Sequence, residues 1–142
     1  RNSITYRSNL SRLMNQLIAE GKNDKAKNII DLAMTKMPLE KFDYYSLIDP
    51  FAEGYYAIGE KAKAQELLKK LIEKYRENLN YYGKLEPSDQ TSIAIEIITD
   101  IERYRGLLQI MKKNNDLALY NESKITFNTY INMFERFGRE KE

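Results

Sequence analysis

Gly21 and Ala26 recur 38 residues later as Gly59 and Ala64, and this pair of spacings limits the fold more than any other feature of the chain. Glycine enters the left-handed backbone region without a Cβ clash, so it can reverse the chain at the end of a helix. A small residue five positions later, on the next helix, lets the two backbones approach closely. The flanking residues agree. Glu20-Gly21-Lys22 with Ala26, Ile29, Ile30 and Ala33 matches Ile58-Gly59-Glu60 with Ala64, Leu67, Leu68 and Leu71. The larger apolar residues of each set fill the groove beyond the small one. Two helix hairpins of one design are the simplest expectation.

Apolar residues recur at three and four rather than two, which predicts helices throughout, about six of them. The first runs from about Ser3 to Glu20 with Tyr6, Leu10, Leu13 and Leu17 as its stripe. The second covers about Asp24 to Met37 and stops at Pro38, which cannot continue the hydrogen-bond ladder. The third spans about Tyr44 to Ile58, broken or restarted at Pro50. The fourth runs from about Lys61 to Tyr82 on Ala64, Leu68, Leu71 and Tyr75, closed by Gly83. After a loop with Pro87 near the next first turn, the fifth follows Ile93, Ile97, Ile101, Tyr104, Leu108 and Met111. Asn114 and Asn115 turn the chain into the sixth, about Leu117 to Phe137, with Phe127, Tyr130, Ile131 and Phe134 facing inward. The charged tail after Gly138 is expected to fray.

These spacings resemble the 34-residue tetratricopeptide pattern. Leu10, Leu13, Met14, Leu17, Gly21, Ala26, Ile30, Ala33 and Pro38 match it in the first unit. Phe51, Ala52, Tyr55, Gly59, Ala64, Leu68 and Leu71 match it in the second, where Arg76 replaces the closing proline. The 38-residue offset implies about four extra residues within Leu39 to Asp49. The fold expected is all-α, a right-handed stack of antiparallel helix hairpins forming one helical-repeat domain. Residues 1–38 make the first unit, 39–83 the second, and 84–138 a divergent pair or cap, in which Asn115-Asp116-Leu117-Ala118 echoes Asn23-Asp24-Lys25-Ala26.

Composition narrows the chemistry. The chain has no cysteine and no histidine, which removes thiolate zinc sites, cysteine nucleophiles, and the commonest general base and zinc ligand. With 23 basic and 21 acidic residues, the net charge is only +2. Short basic runs such as Lys69-Lys70 and Lys112-Lys113 sit among acids and polar residues and read as solvated helix faces, so no nucleic-acid partner is expected. No apolar run approaches the about 20 residues that span a bilayer, so no direct membrane insertion is expected of this segment. Asp43, Asp49 and Glu53 cluster in sequence but lack calcium-loop spacing, and helix first turns attract acids anyway. No metal, cofactor or catalytic residue is therefore expected.

Several segments also resemble a narrower family. Tyr6-Arg7-Ser8-Asn9, Arg12-Leu13, Ala19-Glu20-Gly21-Lys22, Asp43-Tyr44-Tyr45-Ser46-Leu47, Pro50-Phe51-Ala52-Glu53-Gly54-Tyr55-Tyr56 and Leu79-Asn80-Tyr81-Tyr82 are similar to the C-terminal region of the DUF2723 membrane proteins of Bacteroidetes. That resemblance covers about the first 90 residues. It implies that this chain is a non-catalytic tail, joined in its parent to a multi-span portion resembling polyprenyl-sugar-dependent glycosyltransferases, on the periplasmic side of a bacterial inner membrane. The first residue is Arg1, which fits a processed or excised piece with further segments upstream.

The function expected is protein or peptide binding, or scaffolding, with a separate partner or with the membrane portion of the parent chain. Stacked hairpins of this type use the first helix of each unit as a concave face. That face would present Arg12, Asn15 and Gln16 from the first unit and Tyr45, Glu53 and Tyr56 from the second. Tyrosine suits such a face, offering large contact area and a hydroxyl at low entropic cost. The alternative is a structural spacer or oligomerisation module, associating through the Ile-, Tyr- and Phe-rich last two helices.

Overall fold

The structure, a computed structural model, describes residues 2–36 and 48–142, with side chains of the first segment from Tyr6 onward. The described residues contain helices and turns and no strand. In order they form α1 (Asn2–Ala19), α2 (Asn23–Lys36), α3 (Asp49–Ala57), α4 (Lys61–Gly83), α5 (Pro87–Ser92), α6 (Ala94–Lys113) and α7 (Leu117–Met133), followed by a 3-10 turn at Glu135–Phe137. The fold is all-α and built from helix hairpins, with seven helices among the described residues where about six are expected for the chain. The additional helix comes from Ile93, whose φ of −115° and ψ of 29° interrupt what the periodicity presents as one element. Pro50 and Pro87 both occupy first turns, where a missing N–H costs nothing, which fits a helix restarting at Pro50; the expected start near Tyr44 lies outside the described residues. Pro38 and the expected insertion up to residue 47 lie outside the described residues.

Compactness divides the chain into two units, Arg1–Leu68 and Lys69–Glu142. In the first, α1 and α2 are joined by a left-handed cap at Gly21, φ 74°. Its N–H donates to the Ile18 carbonyl at 3.0 Å, and that of Lys22 donates to Leu17 at 2.8 Å. Gly59, φ 80°, joins α3 to α4 the same way, with bonds to Tyr56 at 3.1 Å and from Glu60 to Tyr55 at 2.8 Å. This double bond pattern satisfies carbonyls that a helix end leaves bare. Ala26 and Ala64, five residues after each glycine, are fully buried.

The stripe of α1 differs from expectation. Arg7, Leu10 and Met14 are buried, whereas Tyr6 and Leu13 are 44% and 41% exposed. The packing against α3 selects this register. Gly54 leaves a space into which Met14 inserts, and a Cβ there would collide with Met14 Sδ and stand 3.1 Å from Ile30 Cδ1.

The second unit holds a third copy of the same turn. Asn115 has φ 60°, its N–H reaches Lys112 at 3.1 Å, and that of Asp116 reaches Met111 at 2.9 Å. Asparagine is the residue after glycine that best tolerates this conformation. Asn115 thus stands where Gly21 and Gly59 stand, and Tyr120 stands where Ala26 and Ala64 stand. The sequence echo of Asn115 with Asn23 is out of register by two. The unit's core gathers Leu71, Tyr75 and Leu79 of α4, Ile97, Ile101, Tyr104 and Leu108 of α6, and Phe127, Tyr130 and Ile131 of α7. Tyr104 meets Phe127 edge-on at 5.0 Å between ring centres. The residues after Gly138 do not fray: Glu142 is bonded to Arg105, Gln109, Tyr120 and Asn128.

Candidate interaction surface

Inside the first unit, α2 carries a polar brace along one side. Lys27 pairs with Glu60 at 2.7 Å, at the turn before α4. One helical turn later, Asp31 accepts the Tyr55 hydroxyl at 2.7 Å and the Lys63 ammonium at 3.1 Å. Lys63 also lies 5.8 Å from the centre of the Tyr55 ring. Burial alone would raise the Asp31 carboxyl, but the bonds from Tyr55 and Lys63 outweigh it and hold Asp31 below its ordinary range. Burial, and then the bond to Asp31, pushes the Tyr55 hydroxyl up, so it remains a donor at neutral pH. The brace ties α2 to α3 and to the start of α4.

On that outer side, Tyr6, Asn9, Leu13 and Gln16 follow each other at spacings of three, four and three, one ridge of the helix. All four are exposed, as are Arg12 and Asn15 beside them. Gln16 bonds to Glu20 at 3.3 Å along the surface. Arg12, Asn15 and Gln16 share one exposed surface. Glu53 and Tyr56 sit half-buried on the neighbouring α3 and engage other groups. Tyr45 lies outside the described residues. Tyr6 and Leu13 were expected in the core and belong instead to the surface. No signal in the sequence separates them from core residues, because their helical spacing with Leu10 and Leu17 reads as a buried stripe.

Among the described residues, no group of three or more histidine, cysteine or acidic side chains stands together to hold a metal ion. No helix there is long and apolar enough to cross a membrane. Compared with protein-family models, curated proteins and solved structures, the chain matches none.

Proposed function

We propose that this chain is a non-catalytic protein- or peptide-binding and scaffolding domain made of tetratricopeptide-like hairpins, with the outer ridge of α1 as its partner face. The observation that carries this reading is the exposure of Tyr6 and Leu13 on one ridge with Asn9 and Gln16, flanked by Arg12 and Asn15. Single exposed apolar residues are ordinary on a protein surface. Here two recur seven residues apart, on a helix whose other side is locked by Leu10 and Met14. Apolar anchors in a polar rim on a preorganised helix suit an apposed helix or peptide, because little further ordering is needed on binding. Glu53 and Tyr56 would contribute at the edge.

The resemblance to the DUF2723 tail supports a setting for this activity: the periplasmic side of a membrane protein resembling a glycosyltransferase, whose membrane portion is itself one possible partner. A peptide array probed with the folded chain tests the reading. Hits must weaken when Arg12→Ala and Leu13→Ala are introduced together, with helicity unchanged by circular dichroism. Binding indifferent to both substitutions removes this face. Self-association through the last two helices is the second reading: Ile97, Ile101, Tyr104, Phe127, Tyr130 and Ile131 are buried within their own unit, but Ile95 of α6 and Leu117, Ile125 and Met133 of α7 are exposed.

A further inference from the structure

Tyr120 is the residue that breaks the repeat. The first two hairpins place a fully buried alanine at this point, and the third places a tyrosine with its hydroxyl 2.9 Å from Glu142 Oε1. Gln109 Nε2 donates to the same oxygen at 2.6 Å, and Arg105 Nη1 donates to Oε2 at 2.5 Å. The carboxylate is thus held by three donors from α6 and α7, and the Glu142 side chain is only 9% exposed. The backbone of the same segment is gripped as well. Arg105 Nη2 donates to the Glu140 carbonyl at 2.7 Å, and the Glu142 N–H donates to Asn128 Oδ1 at 2.9 Å.

The receptor side of this contact is itself preorganised. Arg105 is held by Glu102 at 3.1 Å and lies 5.1 Å from the centre of the Phe127 ring. Lys112 and Lys124 stand 5.5 and 5.4 Å from the centre of the Tyr120 ring. A shallow depression of about 380 Å³, lined by Glu102, Arg105, Gly138, Arg139 and Glu140, continues alongside. The occupant is held by polar contacts alone. Arg139, Glu140 and Lys141 are exposed, and the segment follows Gly138, whose φ is 74°. A short stretch held by polar contacts, without buried apolar side chains, opens at low free-energy cost.

We infer that Arg105, Gln109, Tyr120 and Asn128 form a binding site for a glutamate-bearing peptide, read as one carboxylate, the N–H of that residue and the carbonyl two residues before it. Residues 140–142 occupy it in cis, and an acidic segment of a partner protein binds by displacing them. The site lies in the second unit and does not depend on the α1 ridge, so either can fail alone.

The test uses the full chain carrying Glu142→Ala, titrated with the blocked tetrapeptide of residues 139–142 and followed by NMR at the Arg105 Nε–H. Saturable binding is expected, about tenfold or more tighter than to the unaltered chain, whose own residues 140–142 compete. Replacing the last glutamate of the peptide by glutamine, or adding Tyr120→Phe to the chain, should weaken binding by about tenfold, the scale of a lost charged hydrogen bond. No saturable shift up to the order of 1 mM overturns the proposal. So do equal affinities of the two chains, indifference to the glutamine peptide, and residues 140–142 that stay docked in the Glu142→Ala chain.

Discussion

The Tyr55 hydroxyl and the Asp31 carboxylate stand 2.7 Å apart, and Lys63 reaches the same carboxylate at 3.1 Å. One residue of α2 thereby holds one residue each from α3 and α4. Removing the hydroxyl leaves Asp31 with Lys63 alone. Tyr55→Phe should lower the unfolding free energy by about 1–2 kcal/mol, the range of a partly exposed bond to a charged group. Urea denaturation checks this, with the midpoint falling at unchanged slope.

Two aspartates should give opposite pH signatures. The folded-state pKa of Asp31 is held down, so its contribution is full above the unfolded value of about 3.9 and is lost as pH falls through the folded value. Asp31→Asn should remove part of the acid destabilisation of the chain. Asp100 is raised, mainly by burial, despite the Asn78 amide at 3.1 Å. Its folded form holds the proton more tightly than its unfolded form, so stability is lost as pH rises from the unfolded value through the folded one. Asp100→Asn should therefore raise the melting temperature at pH 7 and leave it unchanged near pH 3. Thermal melts across that range decide both.

The glycines separate two kinds of cost. Nothing lies within 4 Å of a Cβ built on Gly21 or Gly59, so Gly21→Ala and Gly59→Ala meet only the left-handed backbone penalty, about 1–2 kcal/mol each. Gly54→Ala instead drives a methyl group into Met14. A double-mutant cycle should find strong coupling between Gly54→Ala and Met14→Ala. Between Gly21→Ala and Met14→Ala it should find none beyond about 0.5 kcal/mol.

Asn115 carries the same turn without the freedom of glycine. Asn115→Gly should hold or slightly raise stability, and Asn115→Ala should lower it by about 1 kcal/mol. Equal effects of the two substitutions would remove Asn115 from the set of equivalent turns.

The hairpins were legible because a glycine, a following alanine and a helical stripe all indicate the same turn. The core stripes of α4 and α6 were legible for the same reason, since Leu68, Leu71, Ile97 and Ile101 admit one register. On α1 two registers share Leu10, and apolar pattern alone favours Tyr6 and Leu13. Only the cavity over Gly54 and the burial of Arg7 select Met14. The helix break at Ile93 has no glycine or proline to announce it. Of the candidate face, Arg12, Asn15 and Gln16 could be placed from the helix alone. Tyr6 and Leu13 beside them could not, because exposed apolar residues look like core until the packing is known. The Glu142 contacts draw on residues from three places in the chain and leave no local pattern.

Photo-crosslinking from Leu13 tests the partner-binding account most directly. The unnatural residue p-benzoylphenylalanine replaces Leu13 and, as a control, the exposed Ala62 of α4, with the protein expressed in its native host. The account predicts a discrete protein adduct from position 13, none from position 62, and loss of the adduct with Arg12→Ala. No adduct from position 13, or the same products from both positions, would contradict it.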